Sequence, residues 1–235
     1  MEITSVSNEK VKYLVKLQQK KYRDKEGKYI IEGVHLVEEA KKLDLVEEIY
    51  STNDYPNSIK VSYEVMKKIS LLDTPNNVLA LVKKVNNNNI EGNILILDNI
   101  QDPGNLGTII RSAVAFNIKT IIASPNTVDL YNPKVLRATE GMYLKINYIQ
   151  DDLESVIKNL DNSYTIYTTN VNEGNDLSNI KIKEPYALIV GNEGSGVSKS
   201  IESLADEKIN IKINDNCESL NVAVATSIIL YEFNK

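Results

Sequence analysis

Hydrophobic and polar positions are spaced in two different ways along this chain. Over residues 7–24 the apolar side chains Val11, Leu14, Val15 and Tyr22 recur at helical intervals, while Lys10, Lys12, Lys16, Lys20, Lys21 and Arg23 fill other faces. This predicts one amphipathic helix ending near Gly27. Residues 29–31 predict a short strand and 33–43 (GVHLVEEAKKL) a second helix. Further short strands are expected at 46–50, 60–61 and 78–82, with a helix over 62–70. Alternation on this small scale suits a compact α/β domain over residues 1–85. The following stretch, VNNNNIEGN, is polar and has no hydrophobic period, which marks 86–93 as a linker.

Beyond the linker the pattern is larger and more regular. Apolar runs of strand length occur at 94–97 (ILIL), 120–123 (TIIA), 164–168 (YTIYT), 187–190 (ALIV) and 208–213 (KINIKI). Helical stretches separate most of them, near 106–116, 132–139, 152–160 and 198–204. Runs that are apolar without alternation, separated by helices, predict a parallel sheet covered on both faces over residues 94–235. The last stretch, ESLNVAVATSIILYEF over 218–233, predicts a nearly continuous apolar helix buried on most sides.

Composition narrows the function classes. A chain of 235 residues, 42% of them hydrophobic, can bury a sizeable core. One cysteine, Cys217, excludes an intrachain disulfide and a cysteine-based metal cluster, and fits a reducing, cytoplasmic setting. The amphipathic N-terminal stretch lacks the apolar core of a signal peptide, and no window approaches a membrane span. His35, the single histidine, has no second histidine with which to share a metal, and reads as a structural or surface residue. Neither HExxH nor a P-loop is present, so no metal site is expected and hydrolase and kinase readings lose support. The net charge of −5 is unevenly placed: residues 1–85 carry 15 basic against 13 acidic side chains. That permits a basic contact surface near the N terminus.

Three stretches could carry chemistry. In LDNIQDPGNLGTIIRSAVAF, 97–116, a strand ends at Asp98, the chain turns through Asp102, Pro103 and Gly104, and Asn105 is placed to cap the next helix. Leu106, Ile109, Ile110 and Ala113 form its core-facing stripe. Arg111 lies roughly 150° from the centre of that stripe at about 100° per residue, so it projects outward, near the sheet edge where open α/β folds bind ligands. In YALIVGNEGSGVS, 186–198, a strand empties into Gly191, Gly194 and Gly196 around Glu193. The order GxxGxG is neither a dinucleotide-binding GxGxxG nor a P-loop. In KINIKINDNCESLNVAVATSIILYE, 208–232, a strand leads through a polar loop into a helix whose first turn is expected to hold Ser219 and Asn221. Free N–H groups there could receive a carboxylate or phosphate.

Together these stretches resemble, in order and spacing, the three motifs of the SpoU class of SPOUT RNA methyltransferases, over about residues 94–233. Residues 1–85 resemble the ribosomal-protein-like, substrate-binding RNA domain that precedes the catalytic domain in many members. The resemblance implies methyl transfer from S-adenosylmethionine to a ribose 2′-hydroxyl of structured RNA, rRNA in preference to tRNA. It places Asn105, Arg111, Glu193, Ser219 and Asn221 in the catalytic site, and Gly191, Ile211 and Leu220 against the cofactor through backbone, with the glycines giving the cofactor room. Arg111 is expected to stabilise the emerging alkoxide, with Glu193 orienting it. A C-terminal trefoil knot and a homodimer are also implied. The chain departs from the family in its third motif, where Ile211-Lys212-Ile213 and then Asp215 replace the usual Ile-Pro-Met and glycine. That departure favours one alternative, an inactive RNA-binding or ribosome-assembly protein that keeps the fold.

Overall fold

The structure, a computed structural model, describes residues 2–85, 89–171 and 173–235. The chain folds into two compact units, one of Met1–Asn86 with Tyr131–Arg137 and one of Asn87–Leu130 with Ala138–Lys235. Of the linker expected over 86–93, positions 86–88 lie outside the described residues.

In the first unit, strands β1 (Glu2–Ile3), β2 (Lys28–Glu32), β3 (Val46–Ser51), β4 (Ile59–Val61) and β5 (Val78–Lys83) form a mixed sheet in the order β1-β4-β3-β5-β2. Its helices are α1 (Glu9–Lys16), α2 (Lys20–Glu26), α3 (Val34–Lys41) and α4 (Tyr63–Ile69). Asn8 caps α1 by accepting the amide of Lys10, and Ser62 caps α4 through the amide of Val65. Val11, Leu14 and Leu17 then pack against Val65, Met66 and Ile69 over the sheet residues Ile30, Tyr50 and Leu79.

The single helix expected over 7–24 is two helices. The buried guanidinium of Arg23 donates from Nη1 to the carbonyls of Leu17 (3.1 Å) and Gln18 (2.7 Å), satisfying carbonyls that the end of α1 leaves open. Gly27, at φ 63°, ends α2 in the left-handed conformation that glycine adopts without strain.

The second unit holds a seven-stranded sheet built from β6 (Ile94–Leu97), β7 (Thr120–Ala123), β8 (Asn147–Gln150), β9 (Thr165–Thr169), β10 (Asn175–Asp176), β11 (Tyr186–Val190) and β12 (Glu207–Asn210). The order is β10-β12-β9-β11-β6-β7-β8, and every neighbouring pair is parallel. Its helices are α5 (Pro103–Ala115), α7 (Leu153–Lys158), α8 (Lys199–Glu202) and α9 (Val222–Phe233). Between them lies α6 (Pro133–Ala138), of which all but Ala138 groups with the first unit. Ile94 and Ile96 of β6 and Ala187 and Ile189 of β11 pack with Leu153, Ile157 and Ile201 of α7 and α8. The alternate residues Leu95, Leu97 and Leu188 point to the opposite face and are also fully buried. The sheet is therefore covered on both sides, as its unbroken apolar runs predict.

Three further differences from the sequence reading bear on the site. β8 and β10 are strands without an apolar run. The strand expected over 208–213 stops at Asn210, and α9 begins at Val222, so 211–221 is an extended connection. Nor is α9 buried on most sides: Val224, Ile228 and Tyr231, one helical stripe, are 48%, 39% and 56% exposed. Among the described residues no helix is long and apolar enough to cross a membrane, and no group of three or more His, Cys, Asp or Glu could hold a metal.

Candidate active site

The two central strands bring the first two motifs together. β6 and β11 are parallel neighbours with Leu97 opposite Val190, so the segments leaving their carboxyl ends emerge side by side. Ligands of open parallel sheets lie at such ends, beside the place where chain connections diverge. The segment after β12 begins on the far side of β9, yet α9 packs against α5. Residues 211–221 therefore pass the ends of β9 and β11. A cleft of about 430 Å³ opens there, walled by Thr169–Val171, the glycine turn, Ile209–Ile211 and Ile213, Ser219 and Leu220, and one side of α9.

The glycine turn closes on itself. Asn192 and Gly196 exchange backbone hydrogen bonds of 3.0 and 2.9 Å. The Asn192 side chain accepts the amides of Gly194 (2.9 Å) and Ser195 (3.1 Å) and donates to the Asn99 carbonyl (2.8 Å). This changes the meaning of two glycines. A Cβ on Gly191 would overlap the backbone of Gly196 and Val197, so Gly191 is required by the turn's own crossing and not, as expected, by ligand room alone. Gly196 is required by its φ of 69°. A Cβ on Gly194 would meet only Asn192 Oδ1 at 3.6 Å, and one on Gly196 nothing within 4 Å, so open space does border the cleft at these two positions.

Asn105 is not the cap of α5. Asp102 holds that position, accepting the Asn105 amide at 2.8 Å, with Pro103 first in the helix, which sets Asn105 inside the first turn. From there Asn105 Nδ2 donates to Glu193 Oε1 at 3.0 Å, and Asn105 Oδ1 accepts from Asn221 Nδ2 at 2.9 Å. One residue from each motif thus joins a single chain, Asn221 to Asn105 to Glu193. Glu193 also accepts the amides of Asp102 (3.1 Å) and Gln101 (3.3 Å) at the start of α5. Burial pushes its carboxyl pKa up, but the donors Asn105, Asp102 and Gln101, with its own amide, outweigh that and hold it below the usual carboxylate value.

Asn221 is the N-cap of α9, and its Oδ1 accepts the amides of Ala223 and Val224. Ser219 precedes the helix. The expected anion site at this helix start is therefore already occupied by the protein's own side chain.

Arg111 stands apart from the chain of bonds. It is exposed on α5, its side chain makes no hydrogen bond or ion pair among the described residues, and Glu193 does not orient it. The structure thus links Asn105, Glu193 and Asn221, sets Gly191, Glu193, Ile211, Ser219 and Leu220 along the cleft, and leaves Arg111 outside both groups. Lys212 and Asp215 are exposed, and neither lines the cleft, whereas Ile211 and Ile213 do.

Sequence reasoning missed Asp98 and Asn192. Asp98, 3% exposed at the end of β6, accepts the amide of Ser198 at 2.8 Å and so pins the exit of the glycine turn. Its place directly after an apolar strand was the available signal. For Asn192 it was the turn-forming habit of asparagine.

A fully parallel sheet with a cleft formed by three segments at its carboxyl ends defines an α/β ligand-binding domain. The comparisons with known proteins make this specific. Residues 92–231 match the SpoU rRNA Methylase family and residues 8–80 the MRM3-like substrate binding domain. The chain belongs to the SpoU family of RNA methyltransferases. It is 34% identical to the 23S rRNA (guanosine(2553)-2′-O)-methyltransferase RlmP of Bacillus subtilis, over 98% of each chain. The AdoMet-bound rRNA methyltransferase of Sinorhizobium meliloti superposes with a TM-score of 0.90 at 28% identity, covering 99% of this chain and 97% of that one. AviRb of Streptomyces viridochromogenes, in complex with AdoMet, shares the fold at a TM-score of 0.86 and 20% identity, over 97% of each chain.

Proposed function

We propose that this protein methylates a ribose 2′-hydroxyl of rRNA, using S-adenosylmethionine, as a cytoplasmic homodimer with a C-terminal knot. The observation that carries the reading is the cleft at the ends of β9, β11 and β12, bordered by a glycine turn and joined to α5 through Glu193 and Asn105. Its volume falls within the range of small-molecule sites. Ile211, Ile213, Leu220 and Ile229 offer apolar surface, and the bare backbone at Gly194 and Gly196 offers a cradle, both suited to a cofactor with an adenine ring and a methionine chain joined through a sulfonium. When bound, S-adenosylmethionine supplies an electrophilic methyl group. The RlmP and Sinorhizobium relatives, by their names, support the 2′-O position, the rRNA substrate and the cofactor.

In this reading Gly191, Ile211 and Leu220 hold the cofactor through backbone, and Ser219 with Asn221 fixes the ribose side of the cleft. Arg111 anchors the RNA and donates N–H groups to the ribose oxygen as negative charge develops. A guanidinium, with a pKa above about 12, is a poor base, so the hydroxyl proton passes to water. The altered third motif is compatible with activity because Lys212 and Asp215 turn away from the cleft. The exposed Val224, Ile228 and Tyr231 stripe of α9 supports the dimer, since an apolar helix face of this kind gains from being covered. The knot is supported by the passage of 211–221 from the far side of β9 back to α5.

Incubation with methyl-labelled S-adenosylmethionine and protein-free rRNA is expected to give label in alkali-resistant dinucleotides, because a methylated 2′-oxygen can no longer attack the adjacent phosphate. Label confined to bases, or none, overturns the reading.

Glu193 serves as a tether and not as the base. Its folded pKa is depressed, so its contribution is complete above the ordinary carboxylate range and is lost only as pH falls through the lowered value. Glu193→Gln is therefore expected to weaken cofactor binding while leaving the shape of the pH–rate profile near neutrality unchanged. Loss of an ionisation from that profile would instead identify Glu193 as the proton acceptor.

A further inference from the structure

The first unit carries its lysines in two populations. Lys12, Lys20, Lys41, Lys42, Lys60 and Lys84 each lie within 4.0 Å of a carboxylate, and Lys10 and Lys28 do too. Lys25, Lys83 and Lys134 are exposed with no carboxylate partner among the described residues, and so are Lys16, Lys21, Lys67 and Lys68. The last four come from three helices, yet they gather around one side chain. Gln18, in the turn between α1 and α2, donates Nε2 to the carbonyls of Lys68 (3.4 Å), Ile69 (3.3 Å) and Ser70 (3.4 Å) at the end of α4. That tie brings Lys16 and Lys21, two and three residues from Gln18, up to the turn bearing Lys67 and Lys68. Glu64, a turn before Lys68, is the nearby acid on α4, and its carboxylate is held by its own amide and by Ser62.

We infer that the corner formed by the α1–α2 turn and the end of α4 docks the phosphodiester backbone of the RNA substrate. Unpaired like charges gathered on one corner repel each other, a cost that a polyanion removes as it releases its own counterions to solvent. Lys67 and Lys68 also suit the helix dipole at the end of α4, and Lys16 that of α1, but this local role does not require the three helix segments to converge. The corner is locally basic on a chain whose net charge is −5. Lysines reach phosphates as point charges and carry no base specificity, so the corner supplies affinity and register while the cleft selects the ribose. The inference rests on the RNA-methyltransferase reading above.

The test compares two full-length variants of equal charge change. The first is Lys21→Gln with Lys67→Gln and Lys68→Gln, and the control is Lys41→Gln with Lys42→Gln and Lys60→Gln, all three control positions being ion-paired. Binding of protein-free large-subunit rRNA is measured over a salt series, with S-adenosylmethionine affinity and thermal unfolding followed in parallel. The corner variant is expected to lower the slope of log affinity against log salt by about 2, at about 0.7 for each phosphate no longer neutralised. Its cofactor affinity and melting temperature should stay at wild-type values, and the control should keep the wild-type slope. Equal slopes for both variants would show that net charge alone is felt and would overturn the corner, even if the wild type methylates rRNA. A wild type that binds cofactor but neither binds nor methylates rRNA would overturn the functional reading itself, and the corner with it.

Discussion

Arg111→Ala is expected to lower kcat by roughly two to three orders of magnitude, the size of effect seen when one donor to a developing oxyanion is removed. Cofactor affinity should be unchanged, because Arg111 does not line the cleft. Stability should be unchanged as well: the side chain is exposed and makes no hydrogen bond or ion pair among the described residues, and substitutions at such surface positions stay within about 0.5 kcal/mol. The combination is what separates a group acting on the RNA from one that supports the fold. Arg111→Lys refines the test by keeping the charge and losing the planar fork. If the lysine variant turns over at the wild-type rate, guanidinium geometry is not needed and Arg111 is reduced to a phosphate anchor. If the alanine variant loses cofactor binding together with rate, its role lies in shaping the cleft.

The isolation of Arg111 also bears on how the site works. Asn105 and Arg111 are both on α5, but six residues on a helix turn the side chains to different faces. Asn105 faces Glu193 and Asn221, whereas Arg111 shares the exposed face with Gly104 and Thr108. The helix therefore has one side that joins the three motifs and another that is open to solvent. Ser112, on the side toward α9, completes this division through its 2.7 Å hydrogen bond to Ser227.

Much of the sheet could be read from the sequence because its strands are buried on both faces. ILIL, TIIA and YALIV are unbroken apolar runs, and β6, β7 and β11 sit at those places. β8, NYIQ, is half-buried at an edge and mixes polar with apolar residues, and β10 has two residues, so neither leaves such a run. Alternation misled at Ile209, Ile211 and Ile213, which read as one strand. Ile209 is in the ladder, while Ile211 and Ile213 face the cleft beyond its end. The helical period likewise runs straight through 17–19, and the break shows in the bonds of the Arg23 side chain to the carbonyls of Leu17 and Gln18. At the site, the sequence pointed to the residue types but not to their pairing. Asp102 and Asn105 are both good caps, and the bonds from Asn105 to Glu193 and Asn221 cross 88 and 116 residues, which no spacing rule can see.

Gly191→Ala is expected to be the most damaging change in the glycine turn, and Gly194→Ala a mild one. Both are glycines of one short turn, and neither has a positive φ, so alanine is barred or admitted by steric fit and not by backbone conformation. At Gly191 the added methyl meets the backbone of Gly196 and Val197, which cannot easily withdraw. The Asn192–Gly196 pair, the Asn192 side chain and the tie from Asp98 to the Ser198 amide hold the turn on three sides. Opening it costs about 1–3 kcal/mol by analogy with overpacked cores, or a fall in melting temperature of several degrees for a chain of this size. Cofactor affinity should fall about fivefold or more if most of that strain stays in the turn, since about 1.4 kcal/mol corresponds to tenfold. At Gly194 the methyl would sit at an ordinary van der Waals distance from Asn192 Oδ1, so the melting temperature should stay at the wild-type value. Any loss of affinity there reports a collision with bound cofactor and not a distorted turn. Calorimetric titration with S-adenosylmethionine beside thermal unfolding of both variants distinguishes these meanings, and wild-type affinity and melting temperature in Gly191→Ala would show that the turn can open without cost to the site.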